Sequence, residues 1–264
     1  MGGTVEVCLD SLASAQIAAD IVNDVDNRIE LCSNLIYGGG LTPSLGLLRQ
    51  CATVITGRKF MIMIRPRIGS FMYTPSEVET MLSDIDVFKS EPSVKGFVFG
   101  CLLEDGRIDV HLTKRLVDAC GPFEVTFHRA FDLTPDWEQA IKDVWSIPGI
   151  TRILTSGHAR TAPQGAQQLN HLITWVSAAH ERDPGRGRLT ILPGSGIGPT
   201  TISEIKERTP NLHEVHLTAS SAVVLSDTEI NRRGEELGFG NEAWAMDGLK
   251  LRSVWEVVKD WEEA

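Results

Sequence analysis

The residues of this sequence best equipped for chemistry are Cys8 and Cys32, each of which closes a Glu-x-Cys pattern, Glu6-Val7-Cys8 and Glu30-Leu31-Cys32. Sulfur donors are soft and select Cu(I), while imidazole also admits zinc. Two thiols with Met63 or His216 as helpers therefore describe a copper site. The spacing alone weighs little, because cysteine is among the residue types most often buried and methionine fills gaps in cores. On residue types alone, a plain interior role is the stronger account. Cys8, Cys32, Cys51, Cys101 and Cys120 include no close pair, which fits neither a zinc ribbon nor a secreted disulfide framework, so the thiols are expected to be reduced.

A second constellation points to acid-base work. His128 or His216 could act as general acid or base, with Glu6, Glu30 or Glu214 in the reciprocal role if burial raised their pKa values. Arg65 and Arg129 could add cationic contacts, and Gly194, Ser195 and Gly196 with Thr218 could cradle a phosphate through backbone donors. Together these suggest an enzyme acting on a small anionic or phosphorylated metabolite, although no residue pair singles out a reaction. The plainer account is an internal Glu/Arg/His network that only satisfies itself. Gly-x-Ser-x-Gly, Gly-x-Gly-x-x-Gly, phosphate-loop lysine and His-Glu-x-x-His motifs are absent from the sequence. Asp10 is expected to cap a helix and Asp132 to shape a turn.

Elements must bring these residues together. Short β-branched or apolar runs alternate with helical stretches eight times, the pattern of a parallel sheet with crossover helices. Strand cores are expected at Val5–Leu9, Arg28–Cys32, Phe60–Arg65, Gly96–Gly100, Phe123–His128, Arg152–Thr155, Leu189–Leu192 and Glu214–Leu217. The 264 residues suit one α/β domain, a (β/α)8 TIM barrel of about 250 residues. The barrel is expected over about 4–220 and a C-terminal helical extension over about 221–264. Thr42-Pro43, Thr74-Pro75 and Thr134-Pro135 each set a capping hydroxyl before a proline suited to the first helical position. Thr74 with Glu77, and Thr161 with Gln164, have capping-box spacing. The polar segment Glu181–Arg188 predicts a loop. Leu251, Val254, Trp255 and Val258 predict an amphipathic helix, with Trp244, Trp255 and Trp261 packing on the barrel rather than on a second copy.

Strand parity then sorts the side chains, because alternate residues face the interior. Apolar Val5, Val7, Leu9, Ile29 and Leu31 belong on the helix side, which turns Glu6, Cys8, Glu30 and Cys32 inward. The same rule turns Met61, Met63, Arg65, Thr126, His128, Glu214 and His216 inward. Chain direction assigns Cys8, Cys32, Arg65, His128 and His216 to the layer nearest the C-terminal strand ends, with Glu6, Glu30, Met63, Thr126 and Glu214 one step deeper. Barrel sites open at that end. Strands eight, one, two and three are neighbours about 4.8 Å apart, close enough for two thiols to reach one ion. Barrel interiors usually carry branched apolar residues, so this many ionisable groups requires partners or water.

A net charge of −10 without a Lys/Arg stripe argues against nucleic acid as a partner. No apolar run approaches the roughly 20 residues that cross a bilayer, and no signal or transit pattern is readable, so a cytoplasmic protein without membrane partners is expected.

Six segments, in order along the chain, resemble signature blocks of the CutC copper-homeostasis family: Glu6–Ser11, Arg28–Leu35, Gly39–Ser44, Met63–Arg67, Thr126–Asp132 and Arg152–Gly157. The likeness spans roughly residues 4–220. It implies a TIM barrel associated with copper handling, Cu(I) bound through Cys8 and Cys32, a cytoplasmic setting and a homo-oligomer. Gly194-Ser195-Gly196 replaces the family's glycine triplet, and His216-Leu217-Thr218-Ala219 replaces its His-x-Ser-Ala segment. Copper binding is the preferred reading and an enzyme the second. A scaffold or chaperone partner is the third; a copper carrier must release its ion, which calls for thiols accessible at the strand ends.

Overall fold

Apolar residues at every second strand position build the shell between strands and helices. Val5, Val7 and Leu9, then Ile29 and Leu31, Phe60 and Ile62, Phe97 and Phe99, Val125 and Phe127, Ile153, Ile191, and Val215 and Leu217 all belong to one buried cluster with the helix faces. A second, separate cluster of Cys32, Met61, Met63 and Val98 lies inside the barrel. Each fully buried aliphatic or aromatic side chain of the shell contributes about 1.5–3 kcal/mol, so the outer cluster dominates the fold and leaves the interior free to carry polar groups.

The computed structural model describes residues 2–24, 26–240 and 242–261. Its barrel strands are β1 (Thr4–Leu9), β2 (Arg28–Leu31), β3 (Phe60–Met63), β4 (Val94–Phe99), β5 (Glu124–Phe127), β6 (Ile150–Thr155), β7 (Thr190–Pro193) and β8 (Glu214–Leu217). They hydrogen-bond in parallel in the order β7-β6-β5-β4-β3-β2-β1-β8, a (β/α)8 TIM barrel. Among the described residues β7 and β8 share no backbone ladder; the Thr190 hydroxyl donating to Glu214 crosses that seam instead. The helices are α1 (Leu12–Ile21), α2 (Leu35–Gly38), α3 (Leu45–Val54), α4 (Pro75–Lys89), α5 (Val110–Cys120), α6 (Trp137–Trp145), α7 (Ala166–Arg182) and α8 (Ile202–Arg208). Beyond β8 the chain forms β9 (Ser220–Val224), α9 (Glu229–Glu236), β10 (Glu242–Met246) and α10 (Gly248–Val258), with β9 and β10 paired antiparallel. Among the described residues no helix is long and apolar enough to cross a membrane.

The capping pattern written in the sequence holds at α4 but not at α3, α6 or α7. Thr74 caps α4 in a full capping box with Glu77, and Pro75 opens the helix. Thr42 instead bonds the backbone of Arg65 through its hydroxyl, and Ser44 caps α3. Thr134 turns its hydroxyl to the Phe131 carbonyl, while the Asp136 carboxylate caps α6 by accepting from two amides. The Thr161–Gln164 spacing makes no capping box, since α7 begins at Ala166 without a side-chain cap. Ser11 caps α1, and Asp10 accepts from the Leu35 amide across the loop. Thr42 and Asp10 find their partners at Arg65 and Leu35, distant along the chain, which sequence spacing does not reveal. Leu251, Val254 and Val258 of α10 are buried, as is Trp261, whereas Trp244 in the hairpin is 40% exposed.

Candidate functional site

Ladder register decides which inward residues meet. Glu6 lies opposite both Arg28 and His216, and Cys8 lies opposite Glu30. Cys8 therefore shares a level with Glu30, and Cys32 sits one step above, which corrects the expected layering. Strands in a closed barrel are staggered by shear, so equal positions along the chain do not mean equal heights.

The result is a compact buried cluster. His216 Nδ1 is 2.9 Å from Glu6 Oε1, and its Nε2 is 3.7 Å from Glu30 Oε2. The donor atoms of Cys8, Glu30 and His216 all lie within 4.8 Å of one another. The Cys8 thiol shares a hydrogen bond with the imidazole, and the Cys32 thiol donates to Glu30, so one carboxylate touches both sulfur groups' surroundings. Glu30 Oε1 is buried and has no hydrogen-bond partner among the described residues. Such an orphan acceptor marks a place built for a proton, water or ion.

Charge follows from these contacts. Burial, reinforced by Glu6 and opposed by His216, pushes the Glu30 carboxyl up to about 7. Burial works against ionising Glu6, yet Arg28 and His216 hold it well below the usual carboxylate range. Burial alone would lower His216, but Cys8, Glu6 and Glu30 together hold it well above its ordinary value. Burial raises the Cys8 thiol against the pull of His216, and raises Cys32 further, with Glu30 and Cys8 adding to the effect.

Cys32 and Met63 flank the cluster. A Cβ at Gly40 would meet the Met63 Cε at 3.3 Å and the Cys32 Sγ at 3.4 Å, so Gly40, at a φ of +92°, lies directly over both side chains. Cys32 is 0% and Cys8 5% exposed, far less open than a carrier's thiols were expected to be. Cys8, Thr218, Trp244 and Met246 line a cavity of about 20 Å³, through which the β9–β10 hairpin covers the strand ends. A space of that size holds about one water or ion.

Other expected residues lie elsewhere. Arg65 spends its guanidinium on the carbonyls of Gly38, Gly40 and Gly69, at 2.7, 3.2 and 3.0 Å, and so clamps loops. His128 directly follows β5, with Nδ1 accepting from the Ala130 amide; burial and Arg65 push its pKa down to about 3. Beyond β7 the Gly194 amide is committed to the Thr155 carbonyl and the Ser195 hydroxyl to the Arg160 carbonyl, which removes two donors from the expected phosphate cradle. Asp132 gathers Arg129, Thr155, Ser156 and the His158 amide, joining the turn after β5 to the end of β6.

Glu214 is at the opposite end, in a self-satisfying ion-pair network of the kind the sequence left open, though its cations Arg28 and Arg152 were not singled out there. Arg28 reaches Glu6 at 2.6 Å through Nε and Glu214 at 2.5 Å through Nη2. Arg152 lies 3.6 Å from Glu214 and 2.6 Å from Glu124, and Lys95 approaches Glu124 at 3.7 Å. Arg28 shares its parity with Glu30 and Cys32, which was the available signal.

A model of the CutC family matches residues 3–221. The chain belongs to the CutC family. A CutC family protein of Bacteroides fragilis is 37% identical over 251 residues, covering 95% of this chain and 90% of that protein. The copper homeostasis protein cutC homolog of Mus musculus is 39% identical over 266 residues, covering 98% and 90%. The crystal structure of CutC from Streptococcus agalactiae superposes with a TM-score of 0.70 at 27% identity, over 82% of this chain and 98% of that one. The family match ends as β9 begins, so it comprises the barrel with the Cys8 cluster, whereas the mouse relative's match continues into the extension.

Proposed function

We propose that this CutC-family chain serves copper homeostasis by binding Cu(I) as cargo at Cys8, with His216 as second donor and Cys32 and Met63 in reserve above it. The observation that carries the reading is the meeting of a thiol, an imidazole and a carboxylate within 4.8 Å at the C-terminal strand ends. The donor set fits the ion: sulfur and imidazole suit Cu(I), while Glu30 supplies charge rather than a preferred ligand atom. His216 donates Nδ1–H to Glu6, which leaves Nε2 for a metal, the arrangement by which a carboxylate orients a ligating histidine. The copper-homeostasis name of the mouse relative supports the same ion. An enzyme working on a small anionic metabolite is less well supported at this end, where the cavity of about 20 Å³ would hold no metabolite. A cytoplasmic setting and self-association stay part of the proposal on family likeness alone.

Anaerobic Cu(I) titration against a competing chelator tests the proposal, using the native chain, Cys8→Ser, Cys32→Ser and the double variant. Cys8→Ser is expected to weaken binding at least a hundredfold, about 2.7 kcal/mol, and Cys32→Ser by about tenfold. Unchanged binding by folded double variant would remove copper from this site.

A further inference from the structure

We propose that the cavity at the N-terminal strand ends is a binding site for a small organic anion with an apolar body, a ring-bearing carboxylate being the simplest case. This cavity measures about 590 Å³, within the roughly 300–1,000 Å³ usual for small-molecule sites. Its floor is made of the first residues of β1, β2, β5, β7 and β8, namely Thr4, Arg28, Glu124, Thr190 and Glu214. A floor held by five strands of one sheet is rigid, which lowers the ordering cost of binding.

The lining charge selects the ligand. Arg28, Lys95, Arg152 and Arg188 outnumber the carboxylates of Asp26, Glu124 and Glu214, in a chain whose net charge is −10. A locally cationic cleft in an acidic protein favours an anion by focusing the field between its walls. Lys95 is the cation best able to respond. Its Nζ stands 3.7 Å from Glu124, beyond hydrogen-bonding distance, and its side chain is 28% exposed. Arg152, which bonds Glu124 at 2.6 Å, lies beside it on the floor. Ile173 and Val176 of α7 and Leu212 supply the apolar part of the lining. A carboxylate placed between Lys95 and Arg152 would rest its ring on that apolar part.

Packing alone does not explain this arrangement. Buried ion pairs rarely improve on apolar residues of the same volume. An alternating row of charges bordering a 590 Å³ cavity is the pattern of a ligand site, and it is independent of copper at Cys8.

The test is calorimetric titration of the full chain with 1-naphthoate, alongside neutral 1-naphthalenemethanol, for the native protein, Lys95→Glu and Ser177→Trp. Ser177 is an exposed α7 residue lining the cavity, so an indole there fills it. One naphthoate per chain is expected, with at least tenfold weaker binding of the neutral compound, at least tenfold weaker binding by Lys95→Glu, and none by Ser177→Trp. Thermal melts followed by circular dichroism establish that each variant is folded; if Ser177→Trp is not, Lys95→Glu decides. No naphthoate binding by the native chain, or equal binding by folded Lys95→Glu, overturns the proposal.

Discussion

At the C-terminal strand ends Cys8, which meets Glu30 and His216, borders about 20 Å³ beneath a hairpin, whereas at the N-terminal ends Arg28, Arg152 and Glu214 border about 590 Å³. The first end keeps protons on groups that would otherwise be ionised or neutral: Glu30 is raised to about 7 and His216 is held well above its ordinary value. The second end fixes charge outright, because each guanidinium bridges two carboxylates. Glu6 joins them, accepting from Arg28 below and from His216 above. The contrast teaches that one barrel interior can carry a cluster of shifted protonation beside a layer of ion pairs, with Glu6 common to both.

The sharpest way to break that comparison is Arg28→Met. It leaves Glu6 and Glu214 buried without their principal cation, and a loss of about 3–5 kcal/mol is expected in urea denaturation. A loss below about 1 kcal/mol would mean that the ion-pair layer does not hold the fold.

The upper cluster is expected to respond to pH instead. A Cu(I) ion must displace protons from Cys8, from His216 and, below about pH 7, from Glu30. Affinity should therefore rise with pH, by about tenfold per unit for each proton released. Competition titrations at pH 6, 7 and 8 measure this, and a flat profile would separate the ion from the cluster.

His128, just past the end of β5, offers an internal control outside both clusters. Its pKa falls from 6.5 to about 3 in the fold because burial, then Arg65, disfavours the charged ring. Its contribution to stability is thus full above about pH 6.5 and is lost as pH falls toward 3, by up to about 1.4 kcal/mol per unit. The difference between native and His128→Phe denaturation curves at pH 7 and pH 5 isolates this slope; equal slopes would place the ring in solvent.

The smallest effect is expected from Trp244→Ala. That half-exposed side chain lines the 20 Å³ cavity, so its loss should cost under about 1 kcal/mol while speeding Cu(I) association in stopped flow. An unchanged rate would show that the hairpin does not limit entry.

How much of the site was legible varies with the residue. Glu6, Cys8, Glu30 and His216 were identifiable as inward from two-residue periodicity, a local property that any strand imposes on its side chains. Their relative heights were not, because barrel shear depends on the ladder register between different strands. Thr42 and Asp10 had convincing local capping positions, yet each found a partner distant along the chain, while Thr134 turned back to the Phe131 carbonyl of its own turn.

The sequence by itself determined the eightfold alternation, the family, and the apolar shell that turns Cys8 and Glu30 inward. Those outcomes rest on periodicity and composition, which are written along the chain. Only the tertiary structure decided that Glu30 rather than Cys32 stands level with Cys8, and that Arg28 pairs with Glu214, 186 residues away. Hydrogen bonds and Coulomb forces act over a few ångströms of space, and chain closure into a barrel sets which distant residues come within that reach.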